Sequence, residues 1–304
     1  MPRISIIILN WNGYKDTCEL LDSLKKIISP AFNILVVDNN SIGNDVEKLV
    51  NRYGSLINTI KAENNLGFAG GNNLGIKKAL KDSTDYIVLI NNDTIVELNF
   101  LESMLRVFDE NQKVGIAAPQ INYFSESNKI WSVGGRISRI KGSGFAYSDK
   151  IENESINESG YRDFVSGCCM MIKKEVFETI GLFDEKFFLY VEDTDFCYRT
   201  IKAGFKIFVS TQSKVYHKIG SSTGGKLEQL PIYYVTRNRL YFAKKNFYST
   251  YLITVIYVFF TMILKSLWWN LTGKGNLVNS IKWAFKDFFR GIMGKADLEK
   301  FSVK

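Results

Sequence analysis

The chain predicts an α/β protein with a mostly parallel central sheet flanked by helices, followed by a C-terminal helical tail. Three observations carry that prediction. Strand-like and helix-like stretches alternate through the first third of the chain, the pattern of parallel strands joined by crossover helices. The strand-like stretches are runs of β-branched residues such as Ile4-Ser-Ile-Ile-Ile-Leu9, as expected of strands buried on both faces. Each of them stops at an Asn- or Asp-rich turn.

Taken in order, Arg3 to Leu9 reads as a strand ending in Asn10-Trp-Asn-Gly13, with a helical pattern from about Lys15 to Ile28. Asn33 to Val37 is a second strand, ending in Asp38-Asn-Asn-Ser41 and followed by a helix from Asn44 to Tyr53. A weaker strand, Leu56 to Lys61, leads into the Asn- and Gly-rich stretch Asn64 to Gly75 and a helix through Lys77 to Leu80. Tyr86 to Ile90 is a short apolar run that stops at Asn91-Asn-Asp93, and it reads as a buried strand. Val114 to Pro119 continues the sheet, before an irregular region with Trp131 and Gly134-Gly135. Ser148 to Gly160 is polar enough to be a mobile surface loop, set over a binding cleft. Asp163 to Ile172 reads as a buried strand, Lys174 to Ile180 as a helix ending at Gly181, Asp195 to Ala203 as a helix, and Lys206 to Val209 as a strand.

Composition limits the function classes. A hydrophobic content of 46% over 304 residues supplies a large core and excludes a largely disordered chain. The four cysteines have no CxxC spacing, and Cys168-Cys169 is a poor disulfide framework, so they read as reduced thiols in a reducing compartment. The N-terminus runs straight into a strand, which predicts no signal peptide. Between Tyr233 and Lys304 there are 12 Lys/Arg against 3 Asp/Glu, whereas the rest of the chain holds 27 against 28. All of the net +8 therefore lives in the tail, which argues against a nucleic-acid binder and for a local anionic partner such as a membrane surface.

Parallel strands share a direction, so the polar turns at their carboxyl ends gather at one edge, where open α/β sheets bind ligands. There Asp38 can accept from a ribose hydroxyl or a base N–H, or fold back into an Asx-turn. Asp93 can hold a hard divalent cation that bridges phosphate oxygens, or cap a helix beginning near Glu97. The glycine stretch contains neither GxGxxG nor GxxxxGK[ST], so it is not a dinucleotide fingerprint or a P-loop, and a nucleotide-dependent oxidoreductase is disfavoured. Its glycines permit close backbone approach to a ligand at a helix N-terminus, or make a plain tight turn. Glu192, Asp193 and Asp195 open a helix among aromatic residues. They are favoured there by the helix dipole, and Asp193, off the face shared by Glu192 and Asp195, suits a general base. His217, the only histidine, is either a packed, hydrogen-bonded side chain or a metal ligand beside Asp93.

The ordered set Ile4 to Asn12, Val36 to Ser41, Asn64 to Asn72, Asn91-Asn-Asp93, Gly181 to Phe188, Glu192-Asp-Thr-Asp195 and His217 resembles the family 2 glycosyltransferases, especially their rhamnosyltransferase-like branch. The match spans about residues 3–240, and several spaced motifs in one order make it specific. The resemblance implies the GT-A (nucleotide-diphospho-sugar transferase) fold over residues 1–240. Residues 1–120 would be the nucleotide-sugar half, 121–240 the acceptor half, and 241–304 a basic, aromatic appendage. It implies inversion at the sugar's anomeric carbon and a dTDP- or UDP-linked donor held by Leu9, Asn10, Trp11, Asp38, Asn65, Gly67, Gly71, Asn91, Asn92 and Asp93. Asp193, in a Glu-Asp motif with Glu192, falls at the catalytic base. Asp93 and His217 fall at the metal positions, for magnesium or manganese. One departure stands out: the first Asp of the family's DxD motif is Asn91 here, so the metal site carries one negative charge fewer. A catalytically silent nucleotide- or glycan-binding module on the same fold is the competing class, and retention of Asp93, Asp193 and His217 speaks against it.

In the tail, Tyr251 to Leu264 is 14 residues without a charge, short of the ~20 a spanning helix needs. Trp268-Trp269 and nearby lysines resemble interfacial anchors, and Lys282 to Arg290 repeats a basic, aromatic amphipathic pattern. Either two helices pack on the catalytic domain, or a helix lies on the inner leaflet of the cell membrane, where a lipid-linked saccharide acceptor would be presented to a cytoplasmic, peripherally attached enzyme.

Overall fold

The computed structural model describes residues 2–148, 158–218 and 229–301. Its first half is β1 (Ile4–Asn10), α1 (Tyr14–Leu24), β2 (Phe32–Asp38), α2 (Asp45–Tyr53), β3 (Ile57–Lys61), α3 (Gly67–Lys81), β4 (Tyr86–Asn91), β5 (Thr94–Val96), α4 (Phe100–Glu110) and β6 (Val114–Tyr123). Four short strands follow, β7 (Ile130–Ser132), β8 (Gly135–Ser138), β9 (Ser143–Ala146) and β10 (Gly160–Arg162). Then come β11 (Cys169–Lys173), α5 (Lys174–Ile180), α6 (Glu192–Lys202), β12 (Lys206–His217), α7 (Gln229–Asn246), α8 (Tyr251–Leu271) and α9 (Asn276–Phe289). The candidate cleft loop, Ser148 to Gly160, lies largely outside the described residues.

The main sheet runs β3-β2-β1-β4-β11-β6-β12-β10, with β5 on β12 and β7 on β6. β1 pairs in parallel with β2 and β4, and β2 with β3, so four strand ends do meet at one edge. β11 is inserted antiparallel between β4 and β6. Alternation along β1 divides the core. Ile4, Ile6 and Ile8 face Leu20, Leu21 and Met104 on one side of the sheet, and Ile7 faces Ala69, Ile76 and Phe196 on the other. The product is a three-layer α/β/α body, as the alternating pattern predicts.

Several boundaries move, each for a physical reason. The glycine-rich stretch is not a loop, because α3 starts at Gly67 and contains Gly70, Gly71 and Gly75. A Cβ on Gly71 would lie 2.4 Å from Leu9 Cδ1, and one on Gly75 would lie 2.5 Å from Ile7 Cγ2. These glycines bring α3 down onto β1, so Gly71 is a packing position rather than an open ligand-facing turn. Asp93 does not cap a helix near Glu97, since the chain first forms β5 and α4 starts after Asn99. β11 covers only the second half of Asp163 to Ile172, and β12 extends without a break to His217. α6 starts at Glu192, three residues earlier than expected, so all three carboxylates sit in its first turn. α1 stops at Leu24, short of Ile28, as the chain nears Pro30.

In the tail the uncharged run joins Lys265 to Leu271 in one helix of 21 residues. A narrow stripe, Thr254, Val258 and Met262, is buried, and the last two pack with Leu240, Ile281 and Phe288 from α7 and α9. Leu252, Ile256, Phe260, Leu264, Leu267 and Trp268 remain exposed on its other sides. The stretch Tyr248–Leu271 is long and apolar enough to cross a membrane by length and composition.

The tight α3–β1 contact makes a stability prediction. Alanine in place of Gly75 should gain about 1 kcal/mol of helix propensity yet lose about 1–3 kcal/mol to overpacking against Ile7. Urea denaturation should show Gly75→Ala less stable than the parent; a higher midpoint at equal slope would contradict the packing account.

Candidate active site

The strand-end edge contains two kinds of polar group. The first kind is spent inside the protein. Asn10 is fully buried, donates from Nδ2 to Asp38 (2.9 Å), Ser41 (3.2 Å) and Asp45 (3.2 Å), and accepts from Thr17 (2.8 Å). Asp38 folds back on its own turn, accepting from the Ser41 N–H at 3.1 Å and from its hydroxyl. Asn92 turns toward α1, donating to Gly13 O and Thr17 Oγ1. Asn65 accepts from Gly67 N and Asn39 Nδ2, which ties the second and third strand ends together. These side chains shape the rim. What remains at its mouth is Trp11, 44% exposed, half-buried Leu9 and Asn91, and the Asn65–Gly67 turn.

The second kind converges on β4's end. Asp93 Oδ1 faces His217 Nε2 at 3.2 Å, with side chains only 7% and 10% exposed. Pairing of β5 with the end of β12 sets Thr94 opposite His217 and so brings together two residues far apart in the chain. Trp131 meets the imidazole edge-on, ring centres 4.8 Å apart. Burial alone would push the His217 pKa down; the neighbouring Cys168 sulfur and the Asp93 carboxylate push it up, and the net shift is upward. Burial raises the pKa of the Cys168 thiol. The buried His217 Nδ1 makes no hydrogen bond among the described residues.

This pair fits a divalent cation, since a carboxylate oxygen and an imidazole nitrogen 3.2 Å apart are both suitable donors. Among the described residues no group of three or more His, Cys, Asp or Glu side chains could hold a metal ion. Two protein donors suit a cation whose other positions are filled by substrate phosphates and water.

The acidic cluster separates into three roles. Asp195 is fully buried and paired, with Arg199 at 2.8 Å, Lys245 at 2.9 Å and Asn246 at 2.9 Å, so it is structural. Asp193 points the other way and is half-buried, with Oδ2 accepting from Gly167 N at 3.1 Å and Oδ1 from Thr194 N at 2.7 Å. Burial raises its pKa, and those N–H donors oppose the rise. Glu192 is buried, its Oε2 makes no hydrogen bond among the described residues, and burial followed by the Asp193 charge pushes its pKa well above the ordinary range. The segment that joins the two centres was not apparent from sequence. The Gly167 N–H reaches Asp193, the next carbonyl, Cys168 O, accepts from Asn91 N at 2.9 Å, and the Cys168 sulfur lies beside His217. Just before α6, Phe188, Tyr190 and Val191 have positive φ values of 64°, 67° and 74°. Each costs about 1–3 kcal/mol for a non-glycine residue and persists only where the surroundings enforce it.

Similarity to known proteins bears directly on this geometry. The profile described as glycosyl transferase family 2 matches residues 5–181. The chain belongs to that family. A profile for the N-terminal domain of galactosyltransferase also matches residues 150–219. The low-salt glycan biosynthesis hexosyltransferase Agl10 of Haloferax volcanii is 28% identical over 210 residues, 68% of this chain and 64% of that protein, so the chain spans just under two thirds of that relative's length. The dTDP-rhamnosyl transferase RfbF of Shigella flexneri is 26% identical over 77% of this chain and 78% of its own. Among solved structures, GalNAc-T7 with UDP, GalNAc and Mn2+ superposes with a TM-score of 0.59 at 17% identity, over 79% of this chain and 51% of that one, and shows the same fold. The GT-A architecture and the rhamnosyltransferase-like branch of the family both stand.

Glu192 supplies a pH prediction. Its folded-state pKa is raised, so it favours folding below the ordinary carboxyl range and this contribution is lost as pH rises through the elevated value. Glu192→Gln should therefore stabilise the protein by about 1 kcal/mol at pH 8, where folding obliges the parent either to take up a proton on Glu192 or to bury its charge, and by nothing measurable at pH 4. Denaturant titrations at the two pH values check this; an equal effect at both would show that folding does not raise the Glu192 pKa.

Proposed function

We propose that this protein is an inverting hexosyltransferase, moving a sugar from a nucleotide-diphosphate donor to a saccharide hydroxyl in cell-surface polysaccharide synthesis. The observation that carries this reading is the Gly167–Cys168 segment, whose hydrogen bonds link Asp193 to the strand end that bears Asp93 and its partner His217. An acid-base group and a cation-competent pair thus share one edge of the sheet, as a reaction with a diphosphate leaving group requires.

In this mechanism the donor lies across the strand ends. Trp11 and Leu9 border its base, the Asn65–Gly67 turn and Asn91 its diphosphate, and Asp93 with His217 would hold magnesium or manganese. Such a cation, when bound, neutralises charge developing on the diphosphate. Asp193 takes the proton from the acceptor hydroxyl. The hydroxyl oxygen bonds to the anomeric carbon as that carbon's bond to the diphosphate oxygen breaks on the opposite face, which inverts configuration. Burial and the Asp193 charge push the Glu192 pKa well above the ordinary range, whereas N–H donors oppose the rise at Asp193, so Asp193 is the carboxylate that ionises more readily. RfbF, named for dTDP-rhamnosyl transfer, supports a dTDP donor and rhamnose as the first sugar to test, with UDP as the next nucleotide. Residues 1–120 form the donor half and 121–240 the acceptor half in this reading, with 241–304 as the membrane-facing appendage.

The exposed apolar flank of α8, beside lysines at 265, 274, 282 and 286, supports a helix lying on the inner face of the cell membrane, where a lipid-linked acceptor is within reach. Flotation with phosphatidylglycerol vesicles should carry the full chain upward, and charges placed on the flank, Ile256→Glu together with Phe260→Glu, should abolish it. Recovery of all the parent protein in the lipid-free fraction at moderate salt would defeat the placement.

The central test is thermal stabilisation by dTDP, UDP and their sugars with and without manganese, because a ligand binding only the native state raises the midpoint. Manganese-dependent shifts are expected, and Asp93→Ala should remove the manganese dependence. Asp193→Asn should keep the nucleotide shift while lowering turnover about 10²–10⁴-fold. Near-full turnover by Asp193→Asn would remove Asp193 from the mechanism.

A further inference from the structure

The segment Phe187–Val191 connects three parts of the site. Its Phe188 carbonyl accepts from Phe68 N at 2.7 Å, at the start of α3 beside the Asn65–Gly67 turn. Its end, Val191, is the residue on which α6 and Asp193 begin. Three of its other carbonyls meet one side chain on α7, while the fourth, Val191 O, accepts from Asp195 N at 3.0 Å in the first turn of α6. Asn238 Nδ2 lies 2.9 Å from Phe187 O, 2.9 Å from Leu189 O and 2.8 Å from Tyr190 O. The orientation of that amide is forced, because Arg237, which can only donate, gives Nε to Asn238 Oδ1 at 3.0 Å. Both side chains are 0% exposed. Arg237 is held in turn by Tyr233 Oη at 3.1 Å, and Tyr233 by Asp287 of α9 at 2.6 Å.

We propose that Asn238 is a positioning residue for the general base: by collecting three carbonyls of the left-handed Phe187–Val191 turn, it sets the start of α6 and aims Asp193 at the acceptor hydroxyl. Arg237 fixes the Asn238 amide, so the pair works as one clamp. Phe188, Tyr190 and Val191 have no intrinsic preference for positive φ, and one amide reaching the carbonyls of Phe187, Leu189 and Tyr190, in and beside these residues, is what the chain offers to hold them there. The inference rests on the reading of Asp193 as the base, and the test separates the two.

The full-length protein is compared with Asn238→Asp, which keeps size but loses the N–H donors, and with Asn238→Ser should the first variant not fold. Turnover is read as dTDP released from dTDP-rhamnose with manganese. Asn238→Asp should lower kcat about 10- to 100-fold, the effect of misplacing a reacting group by an ångström or so, with KM for dTDP-rhamnose within about twofold. On an Asp193→Asn background the same substitution should cost less than about twofold more, because it acts through Asp193. Hydrogen exchange, which needs no donor, should show the Thr194 and Asp195 amides opening about tenfold faster while those of β1 and β4 are unchanged. The proposal is overturned by an unchanged kcat, by equal losses in kcat and donor affinity, by full additivity with Asp193→Asn, or by unchanged exchange at α6. If Asp193→Asn alone keeps turnover, the base assignment itself has failed, whatever Asn238 does.

Discussion

The site depends on one reversal of direction, that of β11. Because it runs antiparallel between β4 and β6, its first residues stand beside the last residues of β4, with Cys169 opposite Ile90. A parallel strand in that slot would have put Gly167 and Cys168 at the far edge of the sheet, roughly 17 Å away at ~3.3 Å per residue. The antiparallel insertion instead delivers a backbone N–H to Asp193, a carbonyl to Asn91 N and a sulfur to the flank of His217. Two motifs separated by about a hundred residues thereby share one short peptide as their common support.

Buried polar groups need partners, and at this edge the protein satisfies most of them internally. Asn10, Thr17, Asp38, Ser41 and Asp45 form a closed network that locks the turns after β1 and β2 to α1 and α2. Such a network is worth most when complete, since a half-satisfied one in low dielectric costs more than an apolar core. Its completeness gives the rim a fixed shape. By contrast Glu192 Oε2 and His217 Nδ1 are buried with no hydrogen bond among the described residues.

That distinction is also where sequence reasoning stops. The β-branched runs gave the strands, the polar turns gave the shared edge, and the ordered motifs pointed to Asp93, Asp193 and His217. Asn10 and Asn91 look alike in sequence, however, and only burial shows that one is spent inside the fold while the other stays at the rim. The glycines of α3 were misplaced because a glycine that admits a neighbouring strand has the same local signature as one that makes a turn. The left-handed stretch before α6 was invisible for a stronger reason. Phe188, Tyr190 and Val191 carry no turn chemistry, and their conformation is imposed by Asn238 from about fifty positions later. Tertiary contacts override local preference there, and no window along the chain contains both partners.

The same α7 that carries Asn238 also carries the packing surface for the tail. Tyr233 Oη meets Asp287 of α9, and Leu240 packs with Val258 and Met262 of α8, so the helices flanking the exposed apolar surface are bolted to the helix beneath the Asp193 turn. Removing a fully exposed leucine- or phenylalanine-sized side chain from water is worth about 1.5–3 kcal/mol. The exposed flank of α8 therefore holds more than enough transfer energy to seat the protein on a lipid surface, even if half of each side chain stays in the headgroup layer. A soluble domain leaving that surface bare would carry a continuous association hazard. Lys and Arg outnumber carboxylates in the tail, and the charge surplus is confined to this end of the chain. Packed helices and buried hydrogen bonds of α7 thus join the tail to the turn that precedes α6.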